Sequence, residues 1–175
     1  MEDLRYPIGR FTPKGAPLTP EERTSFIERI AAVPGELRAA VDGLTDERLD
    51  TPYREGGWSS RQIAHHIPDS HLNAFVRFKL ALTEDVPTIK PYDQEAWAAL
   101  GDVQGSRVGA SLALIEGLHE RWVALLRAMT PRDFGRGLTH PEMGRIDLDF
   151  LLGLYAWHGL HHVTQIVKLR QREGW

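Results

Sequence analysis

Between Asp147 and about Arg172 the sequence carries a helical pattern in which Leu151, Leu154, Tyr155, Ile166 and Leu169 recur on one face. His158 and His162 fall inside that apolar stripe, Gln165 continues it, and His161 lies on its shoulder, toward Thr164 and Lys168. An apolar stripe has to be buried against other elements. The fold must therefore bring something to two inward imidazoles, because each buried polar group left unpaired costs roughly 1 to 3 kcal/mol.

Three further long helices can supply that surface. Thr19-Pro20-Glu21-Glu22 joins an N-cap, a proline at the first helical position and a capping-box glutamate, and opens a helix that runs toward Leu44. Phe26, Ile30, Val33, Leu37 and Val41 mark its buried side, and Pro34 inside it predicts a kink or short break. Ser59 with Gln62 forms a second capping box for a helix to Thr83, and Asp93 caps a short helix through Trp97. The next long helix spans roughly Val108 to Met129, with Leu112, Ile115, Leu118 or His119, Trp122, Leu125 and Leu126 as its inner stripe. Pro7, Pro13 and Pro17 keep the first 18 residues extended as an arm on the domain, and Gly135 to Arg145 reads as loop. The expected fold is all-α, a four-helix bundle with an extended N-terminal arm and short extra helices, in one domain spanning residues 1–175.

Composition narrows the function. The net charge is −3, and the basic residues are scattered where a phosphate-binding surface would cluster them, which argues against nucleic acid. No stretch approaches the ~18 uncharged apolar residues of a membrane span, and Met1 to Lys14 lacks a signal-peptide core. A cytoplasmic location is the expectation. With no cysteine, thiolate ligands and a cysteine nucleophile are excluded, so any metal must use histidine, carboxylate or water.

Eight histidines stand at 65, 66, 71, 119, 140, 158, 161 and 162. A separation of four residues stacks His158 above His162 on one helix face, which lets both bind one ion. On the helix from Ser59, His66 shares a polar face with Gln62, Ser70, Asn73 and Arg77, while Ile67, His71, Phe75, Phe78 and Leu82 lie opposite. A metal held by His66, His158 and His162 satisfies the inward imidazoles; hydrogen bonding within the core is the alternative. His119 and His140 read as surface or structural histidines and His71 as packed. Pro68 frees the carbonyl of Ala64 and reads as an element shaping the helix beside the site.

The stretch Trp58 to Lys79, with His65-His66, Asp69-Ser70-His71 and Arg77-Phe78-Lys79, together with Leu154-Tyr155-Ala156-Trp157-His158 and His161-His162, resembles the DinB/YfiT-like superfamily. The likeness extends to Tyr6-Pro7-Ile8-Gly9, Asp50 to Arg54, Gly56-Gly57-Trp58 and Gly174-Trp175, nearly the whole chain. It implies a four-helix bundle, usually a homodimer, with one zinc or nickel ion per chain on three histidines, matched here by His66, His158 and His162. Members of this branch are named metal-dependent hydrolases, and relatives are described as transferases joining bacillithiol, a low-molecular-weight thiol, to electrophilic substrates.

Three functions remain open on these residues. A thiol transferase would use the ion to hold a thiolate nucleophile. A hydrolase would use it to activate water, with a carboxylate as base, for which Asp69 is a candidate; no glutamate flanks the ligands in a His-Glu-x-x-His pattern. A non-catalytic metal-binding protein would simply tie two helices together. The transferase is the leading expectation, with Asn73 and Arg77 as candidate contacts to an anionic substrate.

Overall fold

The computed structural model describes residues 3–15 and 17–175. Four long helices dominate. Among the described residues the elements in chain order are α1 (Pro20–Val41), α2 (Asp46–Leu49), α3 (Ser60–Thr83), α4 (Gln94–Ala98), α5 (Gly101–Gly105), α6 (Val108–Ala128), α7 (Pro131–Phe134), β1 (Gly137–His140), β2 (Gly144–Asp147) and α8 (Leu148–Glu173). The capping chemistry sets the starts of three of the long ones. Thr19 with Glu22 and Ser59 with Gln62 form reciprocal capping boxes, and Asp147 accepts from the amide of Phe150 at 2.8 Å. Both α1 and α3 run unbroken through their buried prolines, Pro34 and Pro68, so of the kink or short break expected near residue 34 the break is absent.

The helices are not arranged as a simple up-and-down bundle. α1 packs along α8 and α6, and α3 packs along α6 and α8, which leaves α1 diagonal to α3 and α6 diagonal to α8. The ring order is therefore α1, α6, α3, α8, and α3 lies beside α8. Helices consecutive among the long four thus cross the bundle twice, which long connections between them permit.

The interior divides into two apolar clusters. One gathers Ile30, Phe78, Trp122, Leu151 and Leu152; the other gathers Leu37, Ile63, Ile67, Ile115 and Ile166. A band of histidines lies between them. His71 falls between Ile67 and Ala74 on α3, His119 between Ile115 and Trp122 on α6, and His158 and His162 between Ala156 and Val163 on α8.

The connection expected to be loop from Gly135 to Arg145 instead contains an antiparallel hairpin, with Leu138 opposite Ile146 and His140 opposite Gly144. Two features make it. Gly144 takes a left-handed φ of 72° at the turn, and Leu138 and Ile146 are buried together in the first apolar cluster. Backbone bonds from Ile89 N to Thr139 O and from Thr139 N to Pro87 O tie its edge to the segment after α3.

The N-terminal arm lies on the domain as expected and, over the described residues, packs against α8. Trp157 Nε1 donates to Gly9 O at 3.2 Å, and Phe11 packs edge-on against Phe150. Asp149, 2% exposed, then locks arm, α1 and α8 together. It accepts both Nε and Nη2 of Arg23 at 2.7 Å and the amide of Leu18 at 3.0 Å. Asp149→Ala leaves the Arg23 guanidinium buried without its partner and should lower stability by about 3–5 kcal/mol in chemical denaturation.

Candidate metal centre

Because α3 lies beside α8, His66 meets the inward pair of α8. Its Nε2 stands 3.2 Å from Nε2 of His158, and ligand-capable nitrogens of His66, His158 and His162 all lie within 4.8 Å of one another. Ring centroids are 5.2 Å apart for His66 and His158, 4.8 Å for His66 and His162, and 4.6 Å for His158 and His162. Two nitrogens each about 2.05 Å from one ion at a tetrahedral angle would be about 3.3 Å apart, so the His66 to His158 approach matches a shared ion. Ser70 Oγ lies 3.5 Å from the same His158 nitrogen.

Desolvation prepares these rings as ligands. His66 is 4% exposed, and burial pushes its pKa down to about 4. Burial holds His158 and His162 well below the ordinary imidazole range, and the neighbouring histidines push the same way. Each ring is therefore neutral at pH 7, the form that binds metal. A donor set of three neutral imidazoles fits a zinc- or nickel-type ion and leaves coordination positions open.

His71, read as packed, and His119, read as surface or structural and in fact buried, form a hydrogen-bonded layer behind the cluster. His158 Nδ1 lies 3.2 Å from His71 Nε2, His71 Nδ1 lies 2.8 Å from His119 Nε2, and His119 Nδ1 lies 2.8 Å from the carbonyl of Ile30. His71 and His119 stack at 10° between their planes, and the Trp122 ring meets both edge to face. Gly159 makes room for this layer: a Cβ there would sit 2.5 Å from Val33 Cγ2 and 3.2 Å from His71 Cε1. On the other side, His162 Nδ1 lies 2.9 Å from Gln165 Oε1.

His161, on the shoulder of the stripe, stays out of the cluster. It stacks on Trp157 and lies against Tyr6, while its Nε2 accepts from Gln165 Nε2 at 3.1 Å. His140 is buried in the hairpin, where its Nδ1 accepts from the amide of Glu142.

Over His158 and His162 opens a cleft of about 440 Å³, lined also by Arg5, Tyr6, Arg54, Trp58, Glu95 and Gln165. Trp58 packs 4.6 Å from the His66 ring and donates Nε1 to Glu95 Oε2 at 2.8 Å. Neither Asn73 nor Arg77, the residues expected to meet substrate, lines this cleft. The shared helix face placed them correctly around α3 but not along it: Arg77 is eleven residues from His66, about 16 Å of helix rise, and reaches Tyr155 Oη at 3.4 Å. Asn73 Nδ2 turns back to the carbonyl of Asp69. Asp69 is half-buried, and its carboxyl pKa is raised to about 6, chiefly by burial and then by Asp102.

The profile of the DinB superfamily matches residues 29–166, and the chain belongs to that superfamily. A Bacillus subtilis protein named "Putative metal-dependent hydrolase YfiT" is 47% identical over 174 residues, covering 99% of this chain and 97% of its own length. A Bacillus cereus protein named in the same terms is 50% identical over 175 residues, covering both chains completely. A solved structure of YfiT from Bacillus subtilis, described as a probable metal-dependent hydrolase with an unusual four-helix bundle topology, superposes with a TM-score of 0.95 at 47% identity, covering 98% of each chain. The four-helix bundle protein TT2238 shares the fold at a TM-score of 0.55 and 19% identity, covering 81% of this chain and 95% of its own.

The arrangement predicts that the wild-type chain binds one Zn²⁺ and that His66→Ala, His158→Ala and His162→Ala each weaken binding by more than about 100-fold, beyond the 10- to 100-fold typical of losing a residue that only supports a ligand. His161→Ala should bind within about threefold of wild type. Competition against a chromophoric chelator measures both.

Proposed function

We propose that this chain is a metal-dependent enzyme that joins a low-molecular-weight thiol, such as bacillithiol, to an electrophilic carbon, with one zinc or nickel ion held by His66, His158 and His162. The observation that carries this reading is the pairing of an all-imidazole donor set with a cationic cleft. The three candidate ligands include no carboxylate, and Arg5 and Arg54 line the space above His158 and His162. Neutral donors leave the ion its full double charge, which favours an anionic nucleophile.

When bound, the ion would supply Lewis acidity that lowers the pKa of a thiol. The chain's own residues do the rest. His66, His158 and His162 would hold the ion, Arg5 and Arg54 attract carboxylates on the thiol, and Trp58 walls the cleft beside His66. The thiol sulfur forms the new bond to carbon with its own electron pair. The bond from that carbon to its leaving group breaks with the departing pair, and the thiol proton passes to solvent. With no cysteine in the sequence, no thiol of this chain competes for the site. The working form on this reading is a cytoplasmic homodimer acting on small molecules; among the described residues no helix is long and apolar enough to cross a membrane.

Hydrolysis is the second reading, supported by the relatives' names and by Glu95, a carboxylate that lines the same cleft and accepts from Trp58 Nε1. The test incubates Zn²⁺-loaded protein with monochlorobimane and bacillithiol, glutathione or cysteine in turn. Thiol-dependent conjugation at least tenfold above background, abolished in His162→Ala, is expected. No conjugation with any thiol, together with ester or amide hydrolysis that Glu95→Gln removes, would replace the transferase with the hydrolase.

A further inference from the structure

The structure assigns to His71, His119 and Gln165 a positioning role: through them the backbone carbonyls of Ile30 and Arg5 fix which nitrogen of His158 and His162 carries the proton. In a neutral imidazole one nitrogen donates and the other accepts, and the bond made by one decides the state of the other. A carbonyl oxygen can only accept. The direction of each chain of hydrogen bonds is therefore set at its carbonyl end.

The first chain begins at Ile30 on α1. Its carbonyl requires a proton on His119 Nδ1, which leaves His119 Nε2 as acceptor. His71 Nδ1, 2.8 Å away, must then donate, so His71 Nε2 accepts. His158 Nδ1, 3.2 Å from that nitrogen, must donate in turn. The lone pair of His158 is left on Nε2, the atom that faces His66. Reversing any link would make one ring doubly protonated. His71 is 0% and His119 2% exposed, and a cation there would lose its hydration within an apolar core. The chain passes from α8 through α3 and α6 to α1, so one element of each long helix takes part.

The second chain begins at Arg5 in the arm. Its carbonyl accepts from Gln165 Nε2 at 3.2 Å, which orients the amide so that Oε1 faces His162. His162 Nδ1 must then donate to Oε1 at 2.9 Å, leaving its lone pair on Nε2. Two chains of different chemistry thus impose the same tautomer on two rings of the cluster. Such outer partners fix ring orientation and raise ligand basicity.

This assignment rests on the reading of His158 and His162 as ligands only in its consequence for metal; the tautomers are a property of the metal-free protein. Long-range ¹H–¹⁵N correlation spectra of metal-free protein labelled in histidine should show the Nδ1–H form at His71, His119, His158 and His162. The Nε2–H form at any of these in the folded chain overturns the assignment, whether or not metal binds. Zn²⁺ affinity supplies the second readout. His119→Leu removes the acceptor for His71 and should weaken Zn²⁺ binding 10- to 100-fold, whereas His119→Gln, whose Oε1 can accept from His71 Nδ1, should stay within about threefold of wild type. Equal losses in the two folded variants, or none in either, contradict the relay. If His119→Leu does not fold, the wild-type spectra decide alone.

Discussion

The whole waist of this bundle depends on finding partners for imidazole nitrogens that four packed helices have wholly or partly withdrawn from water. Burying such groups unpaired is costly, and most are paired or bound. Here the pairing is built in a band between two apolar clusters, where His71, His119, His158 and His162 lie at matching heights on α3, α6 and α8. Backbone carbonyls of α1 and of the N-terminal arm close the network at its two ends. The apolar halves supply most of the burial, and the band sets how the helices must be aligned for its bonds to form.

The order of the helices follows the same constraint. With α3 between α6 and α8, His66 can face α8 while His71, five residues later on the same helix, reaches both His158 and His119. Gly159 lets α1 and α8 close on each other beside this contact, since even a Cβ would press on Val33. The arm completes the arrangement. It contributes the carbonyl that orients Gln165 and the Arg5 side chain that lines the cleft. One short segment therefore serves both the cluster and the space above it.

Much of this was legible in the sequence because helix periodicity and capping are local. The boxes at Thr19 and Ser59 mark helix starts within a residue, and the stripe on α8 separates His158 and His162 from His161. What was not legible depends on distance along an axis or between helices. A helical wheel puts Arg77 and His66 on one face but says nothing of the 16 Å or so between them. The hairpin at Gly137–Asp147 is too short for a period-two signal to stand out; Leu138 and Ile146 become readable only as a facing pair. His71 and His119 did leave a trace, since each sits on an apolar stripe and so needs a partner, but matching the two required the heights of α3 and α6. Gln165, three residues after His162 on the same stripe, was visible without its role.

The central claim is that three neutral imidazoles, from α3 and α8, form the protein's share of a metal site that keeps positions open. X-ray absorption spectroscopy of the Zn²⁺-loaded protein reads that shell directly. The account predicts three imidazole nitrogens at about 2.0–2.1 Å with at least one further light-atom ligand of non-imidazole character. Two or fewer imidazoles, or a fourth imidazole closing the shell, would contradict it.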